Sequence, residues 1–156
     1  MGKQNNYEHS IRVPLVFYGS GIEKEKKIEQ YVYLYDIYPT LCSLFHFPIP
    51  RSVDGKDFSK MFEDSSFKIR KELYFAYGDL IRSAKDERYK LIQYRYQKER
   101  CQLFDLWEDP DEQVDLSMYP EYQVVIKRLK ETMQKFRINW DEDQHILGKR
   151  YWDKSI

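Results

Sequence analysis

Residues 73–106 read LYFAYGDLIRSAKDERYKLIQYRYQKERCQLFDL. Three runs within them, Leu73 to Tyr77, Ile81 to Lys85 and Tyr89 to Tyr96, are short and rich in aromatic and aliphatic residues, as strands are. Cys101 to Leu106 makes a fourth, and Asp86-Glu87-Arg88 supplies a tight connection. These spacings suit an antiparallel meander of four strands. A turn-rich Glu108-Asp109-Pro110-Asp111-Glu112 follows, and Pro120 then opens a segment in which Tyr122, Val125, Ile126, Leu129, Met133 and Phe136 recur at helical spacing. That pattern predicts one amphipathic helix of about five turns covering one face of the sheet. The fold class is α+β. The tail from Asp141 to Ile156 is aromatic and charged, and is expected to lie over the surface.

Upstream, Ile11 to Tyr18 (IRVPLVFY) is an apolar run closed by Gly19-Ser20-Gly21, which predicts a strand ending in a turn. Pro14 cannot donate to a ladder, so that strand is expected at an edge or bent. Glu23 to Lys27 is a charged connector. In the apolar stretch Tyr31 to Phe47, Asp36 is placed to cap a helix from Ile37 to about His46, with Pro39 tolerated in the first turn. Between Pro48 and Arg70 the composition shifts to Pro, Gly, Ser and charge, marking an excursion in which Ser59 to Glu63 can form one helical turn.

The chain's 156 residues are enough for one ordinary domain, and 42% hydrophobic residues, 17% of the chain being aromatic, supply a core. Twenty-six basic and twenty-six acidic side chains cancel, so no whole-chain field argues for nucleic acid or an anionic membrane as partner. No apolar run approaches the ~20 residues that span a bilayer. Cys42 and Cys101 lack CxxC spacing, which disfavours a zinc site or redox pair; free, buried or paired states all fit.

A self-contained hydrolase needs an activated nucleophile or a metal with converging ligands. His9, His46 and His145 are isolated, and for the latter two the ordinary surface or core-edge role is the expectation. The acids Asp105, Glu108, Asp109, Asp111 and Glu112 lack the glycine and closing glutamate of an EF-hand loop, so a turn rich in capping acids is the better account. Residues 82–100 interleave Arg82, Lys85, Arg88, Lys90, Arg95, Lys98 and Arg100 with Tyr89, Tyr94 and Tyr96. A single-stranded nucleic-acid platform would look like this, but so do strands with one wet face. Lys3 to Arg12 (KQNNYEHSIR) concentrates cations and amides just before an apolar run; it can present an anion-binding lysine or be a solvated arm.

Five segments, in order, bring a resemblance. GKQNNYEHSIRVPLVFYGSGI resembles the sulfatase segment in which a lysine precedes Tyr-Glu and then Arg-Val-Pro; VYLYDIYPTLCSLFHFPIP resembles the helix that follows it; and VDGKDF resembles the Asp-Gly-x-Ser-Leu step. IRSAKDERYKLIQYR resembles the carboxy-terminal hairpin, and QLFDLWEDPDEQVDL the Leu-Phe-Asp-Leu…Asp-Pro-x-Glu…Asn-Leu motif before the last helix, with Asp115 in place of the Asn. The chain therefore resembles the C-terminal portion of a sulfatase, in the alkaline-phosphatase-like superfamily, from about Gly2 to Trp140. The resemblance implies residues 1–50 as the C-terminal edge of the catalytic α/β domain, contributing its last strand and helix, 51–70 as a connector, 71–140 as the antiparallel sheet-plus-helix subdomain, and 141–156 as a tail.

In that family a formylglycine, made from Cys or Ser in a Cys/Ser-x-Pro/Ala-x-Arg motif, attacks sulfur while a divalent cation, usually calcium, polarises the sulfate. Neither CSLFH at Cys42 nor CQLFD at Cys101 matches, and the paired aspartates and metal segment are absent, so the resemblance implies that they lie upstream and that this fragment alone is inactive. Carried over are Lys3, matching the lysine that contacts the sulfate, and His9, which follows the matched Tyr-Glu as a proton donor or substrate hydrogen-bonder. An ammonium facing developing negative charge stabilises the transition state electrostatically. Implied partners are a sulfated small molecule or glycan and the rest of the catalytic domain, with no nucleic acid and no membrane; apolar faces left bare imply self-association of the fragment. Such enzymes are often periplasmic, secreted or lysosomal. The rival readings are a phosphodiesterase or phosphonate hydrolase of the same superfamily, and a non-catalytic polyanion-binding module.

Overall fold

The computed structural model describes residues 4–96 and 98–153. They divide into two compact units, one made of the residues up to Pro14 together with those from Glu72 onward, the other of Leu15–Lys71.

In the first unit four antiparallel strands, β1 (Leu73–Tyr77), β2 (Ile81–Lys85), β3 (Tyr89–Tyr96) and β4 (Lys98–Asp105), lie in chain order. The first three have the bounds their composition predicts; β4 begins earlier than the expected Cys101, because Arg95 and Glu99 pair directly across the hairpin. The register puts Tyr74 opposite Ala84, Ala84 opposite Leu91 and Leu91 opposite Leu103, so one buried row crosses all four strands. α3 (Gln123–Asn139) covers that row with Ile126, Leu129 and Met133, the periodic positions of its sequence. On the opposite face Ile81, Ile92 and Phe104 form a second cluster, and Tyr7 packs against it. Every residue of β2 is buried, as befits a central strand covered on both faces.

The tail does more than lie on the surface. Residues Glu142–Gln144 form a 3-10 turn and α4 (Ile146–Trp152) folds back, burying Tyr151 completely. Glu142 ties this return to the sheet. Its carboxylate accepts hydrogen bonds from the Tyr74 hydroxyl at 2.6 Å and the Trp152 indole N–H at 2.7 Å, and meets the Arg82 guanidinium at 2.5 Å. Gly148 is required here, since a Cβ would stand 2.1 Å from the Glu142 carbonyl oxygen.

The strand expected over Ile11–Tyr18 is not formed. Glu8–Ile11 make a short helix, α1, and residues 12–18 run extended without a ladder, with Val16 and Tyr18 exposed. A strand exists only where a neighbour takes its backbone donors and acceptors; none of the described strands pairs with this run, and Pro14 removes a donor.

The second unit holds α2 (Ile37–Leu44), which stops short of the expected His46; His46 itself adopts a left-handed backbone. A 3-10 turn over Ser59–Phe62 matches the single turn expected there. Asp36 precedes α2 but makes no side-chain cap. Its fully buried carboxylate instead accepts from the Tyr33 N–H at 2.6 Å and the Lys56 N–H at 2.8 Å, and receives the Arg70 guanidinium through both oxygens. Thr40 links helix to loop, donating to the Asp36 carbonyl and accepting from the Phe58 N–H.

Candidate functional site

The arm Gln4–Ile11 bears His9, one of the two residues that the sequence singled out, and the sheet face opposite α3 is where it is seated. Each of three successive side chains reaches a different place on that face. Asn6, buried, donates to the Ser83 hydroxyl on β2 at 3.0 Å. The Tyr7 hydroxyl donates to the Gln102 side-chain oxygen on β4 at 2.7 Å, and its ring packs on Phe104 with centroids 5.7 Å apart. Glu8 Oε1 lies 2.9 Å from Lys85 Nζ and 3.1 Å from Lys90 Nζ.

Glu112, from the acidic turn after β4, completes the arrangement. Its Oε1 takes Lys90 Nζ at 2.7 Å while its Oε2 accepts the Glu8 backbone N–H at 2.5 Å. Burial, the largest single influence on Glu8, pushes its carboxyl up, but Lys90 and Lys85 outweigh it and hold the group below the ordinary carboxylate range. Burial pulls the Lys85 ammonium down, against the opposing pull of Glu8. Tyr94 beside them is pushed up, first by burial and then by its hydrogen bond to Tyr7.

His9 follows directly. It is exposed and stacks face to face on Tyr7, at 5.7 Å between centroids and 9° between planes. Lys3 lies outside the described residues. His46 and His145 are both exposed and far from His9 in sequence; His145 caps α4 by accepting the Leu147 N–H. The acidic turn acts as capping chemistry: Asp105 accepts from Arg88 and from the Trp107 N–H, and Asp109 from the Val114 N–H. Much of the basic ladder is engaged internally, with Lys85 and Lys90 on Glu8, Arg88 on Asp105 and Arg82 on Glu142.

The donor set does not fit a formylglycine or a resident divalent cation. Among the described residues no group of three or more His, Cys, Asp or Glu side chains converges as a metal site. Cys42 is buried in α2, and burial pushes the Cys101 thiol up, away from the thiolate.

The role of Glu8, Lys85, Lys90 and Glu112 was missed in the sequence, where the lysines read as a wet face. One signal was available. In a hairpin turning at residues 86–88, Lys85 and Lys90 fall opposite each other, and like charges so placed call for a shared anion.

A four-stranded antiparallel sheet covered by a long helix is the architecture expected of a C-terminal sulfatase subdomain. Residues 1–139 match the family described as N-sulphoglucosamine sulphohydrolase, C-terminal, and the chain belongs to that family. A sulfatase from Formosa agariphila is 25% identical over 146 residues, covering 94% of this chain and 28% of that protein. The fold is similar to the solved phosphonate monoester hydrolase of Silicibacter pomeroyi, with a TM-score of 0.73, 17% identity, and coverage of 88% of this chain and 31% of that one. It is also similar to a structure solved in complex with its substrate D-glucosamine-2-N,6-O-disulfate, with a TM-score of 0.58, 19% identity, and coverage of 77% and 24%. The chain spans 28% of the length of the Formosa sulfatase, and the two structural likenesses speak for the fold alone.

Proposed function

We propose that this chain is the C-terminal part of a sulfatase that hydrolyses sulfate esters of a sugar, with formylglycine and a divalent cation supplied by the portion of the relatives that this chain does not span. The match over residues 1–139 carries this reading. The sugar sulfate is supported by the structural neighbour whose substrate is a doubly sulfated glucosamine. In this reading the chain contributes binding and positioning: Lys3 presents its ammonium to the sulfate, and His9 donates a hydrogen bond or a proton to the substrate. A fixed cation aimed at charge that grows in the transition state contributes most in a site shielded from water. The chain alone is inactive.

The test measures sulfate release from glucosamine 6-sulfate and N-sulfoglucosamine by this chain and by the complete protein, with a phosphonate monoester as comparison. The expected result is turnover of a sulfated sugar by the complete protein only, with Lys3→Ala lowering kcat/KM about 10²–10³-fold, as loss of one transition-state donor does elsewhere. Enzymatic turnover by this chain alone, faster phosphonate than sulfate turnover, or an indifferent Lys3→Ala would each overturn the reading.

A further inference from the structure

Two ammonium groups, Lys85 and Lys90, face each other on adjacent strands beneath the arm, and Lys90 is wholly buried. Alone they would repel in a place that water cannot screen. Glu8 Oε1 lies between them and Glu112 closes the set, so two positive and two negative charges balance. Buried charge of this kind gives little net stability over apolar packing, because desolvation offsets most of the attraction. What it does supply is a single acceptable geometry. Moving Glu8 by one residue in either direction would take its carboxylate away from both lysines, and would also strip the Glu8 N–H of its acceptor on Glu112. Glu112 reaches that position from a left-handed backbone that non-glycine residues seldom adopt, so the turn after β4 is shaped to meet the arm.

We propose that Glu8, held by Lys85, Lys90 and Glu112, is a positioning residue: it fixes the register of the arm on the sheet and thereby sets where His9 projects. His9 is the next residue and leans on Tyr7, itself fixed to Gln102, so its place follows from that of Glu8. The proposal rests on the sulfatase reading for what His9 contacts, but the seating of the arm does not.

The experiment has two arms. In this chain, hydrogen exchange is followed at amides 6–12, with Ala84 and Leu91 of the sheet core as internal reference. Glu8→Gln keeps the shape and removes the charge; it should speed exchange of the arm about tenfold, the scale of one lost charge-assisted hydrogen bond, and leave the reference amides unchanged. Glu8→Gln with Lys85→Gln restores one lysine to one glutamate and should recover most of the protection. In the complete protein Glu8→Gln should lower kcat for sulfate release while KM changes little, with the double variant again recovering. Arm exchange that does not move, or that rises together with the sheet core, overturns the proposal. So does a loosened arm with full turnover in a protein that His9→Ala inactivates. If His9→Ala leaves turnover intact, the sulfatase role of the arm falls, and the exchange arm alone decides the seating.

Discussion

In the sheet unit, Tyr74, Ala84, Leu91 and Leu103 form an apolar row shut beneath α3, with Leu129 and Met133 fully buried against it. In the unit Leu15–Lys71, two fully buried groups at the head of α2 are polar, Asp36 and Thr40, while Tyr38, Leu41, Phe45 and Phe47 stand exposed. One unit is built on a continuous apolar row, with Lys90 and Arg82 fully buried in the same sheet. The other is organised around a carboxylate and leaves much of its apolar surface in water. The difference teaches that burial of carbon is not the only way to fix a short segment: a buried carboxylate with four donors specifies loop positions that no periodic pattern could.

Removing that carboxylate should have the largest effect. Asp36→Ala strands the Arg70 guanidinium, whose side chain is only 8% exposed, and leaves the Tyr33 and Lys56 N–H groups without their acceptor. Breaking a buried pair by deleting one partner costs about 3–5 kcal/mol, and urea denaturation of the chain should show it. A loss under about 1 kcal/mol would mean that Phe17, Phe58 and Phe62, whose rings meet at 5.1–6.0 Å, hold this unit instead.

In the sheet unit the matching test is Leu129→Ala, which opens a cavity beneath the buried row and should cost about 3 kcal/mol. An equal loss from both substitutions would narrow the contrast between the units to chemistry alone; a small loss here would show that α3 can settle into the gap.

The sheet unit was legible because its signals are local. Three of four strands and the long helix follow from runs and spacings that backbone geometry enforces wherever they occur. The arm on the sheet was not legible, because Asn6, Tyr7 and Glu8 find partners 77, 95 and 82 residues away, a pairing that only the folded register creates. Residues 12–18 show the opposite failure: the composition is that of a strand, but a strand also needs an edge to pair with. The tail was read as surface because its nine charged and aromatic residues give no period, while its anchor, Glu142, works through Tyr74 and Arg82. Of the site, His9 and the family's lysine position came from motif likeness, whereas the residues that seat the arm bearing His9 needed the structure.

Acid should act on the sheet unit through the seat of the arm. Glu8 and Asp105 both have folded pKa values below their ordinary ones, despite burial that by itself raises them, through Lys90 and Lys85 in one case and Arg88 in the other. A lowered carboxylate contributes stability that is complete above its unfolded value and lost as pH falls through the folded one. Stability should therefore drop as pH is lowered below about 4, a smaller loss than either deletion, and Glu8→Gln should flatten part of that slope. A slope unchanged in Glu8→Gln would assign the acid sensitivity to Asp105 and Asp57, the latter lying in the other unit.

The smallest expected effect on stability falls on the exposed face of α2. Tyr38, Leu41 and Phe45 are spaced as one helical stripe and are 54%, 37% and 66% exposed, so a polar replacement removes few contacts. Tyr38→Gln with Phe45→Gln should change unfolding free energy by no more than about 0.5 kcal/mol per site. The same two changes should act strongly on association, because a contiguous apolar stripe in water is a surface that a second chain, or the rest of a longer protein, can cover. The chain is therefore expected to elute by size exclusion as a concentration-dependent mixture, and the double variant as a monomer. A clean dilute monomer of the unaltered chain would show that the bare stripe is tolerated in water, and the contrast between the two units would then rest on Asp36 alone.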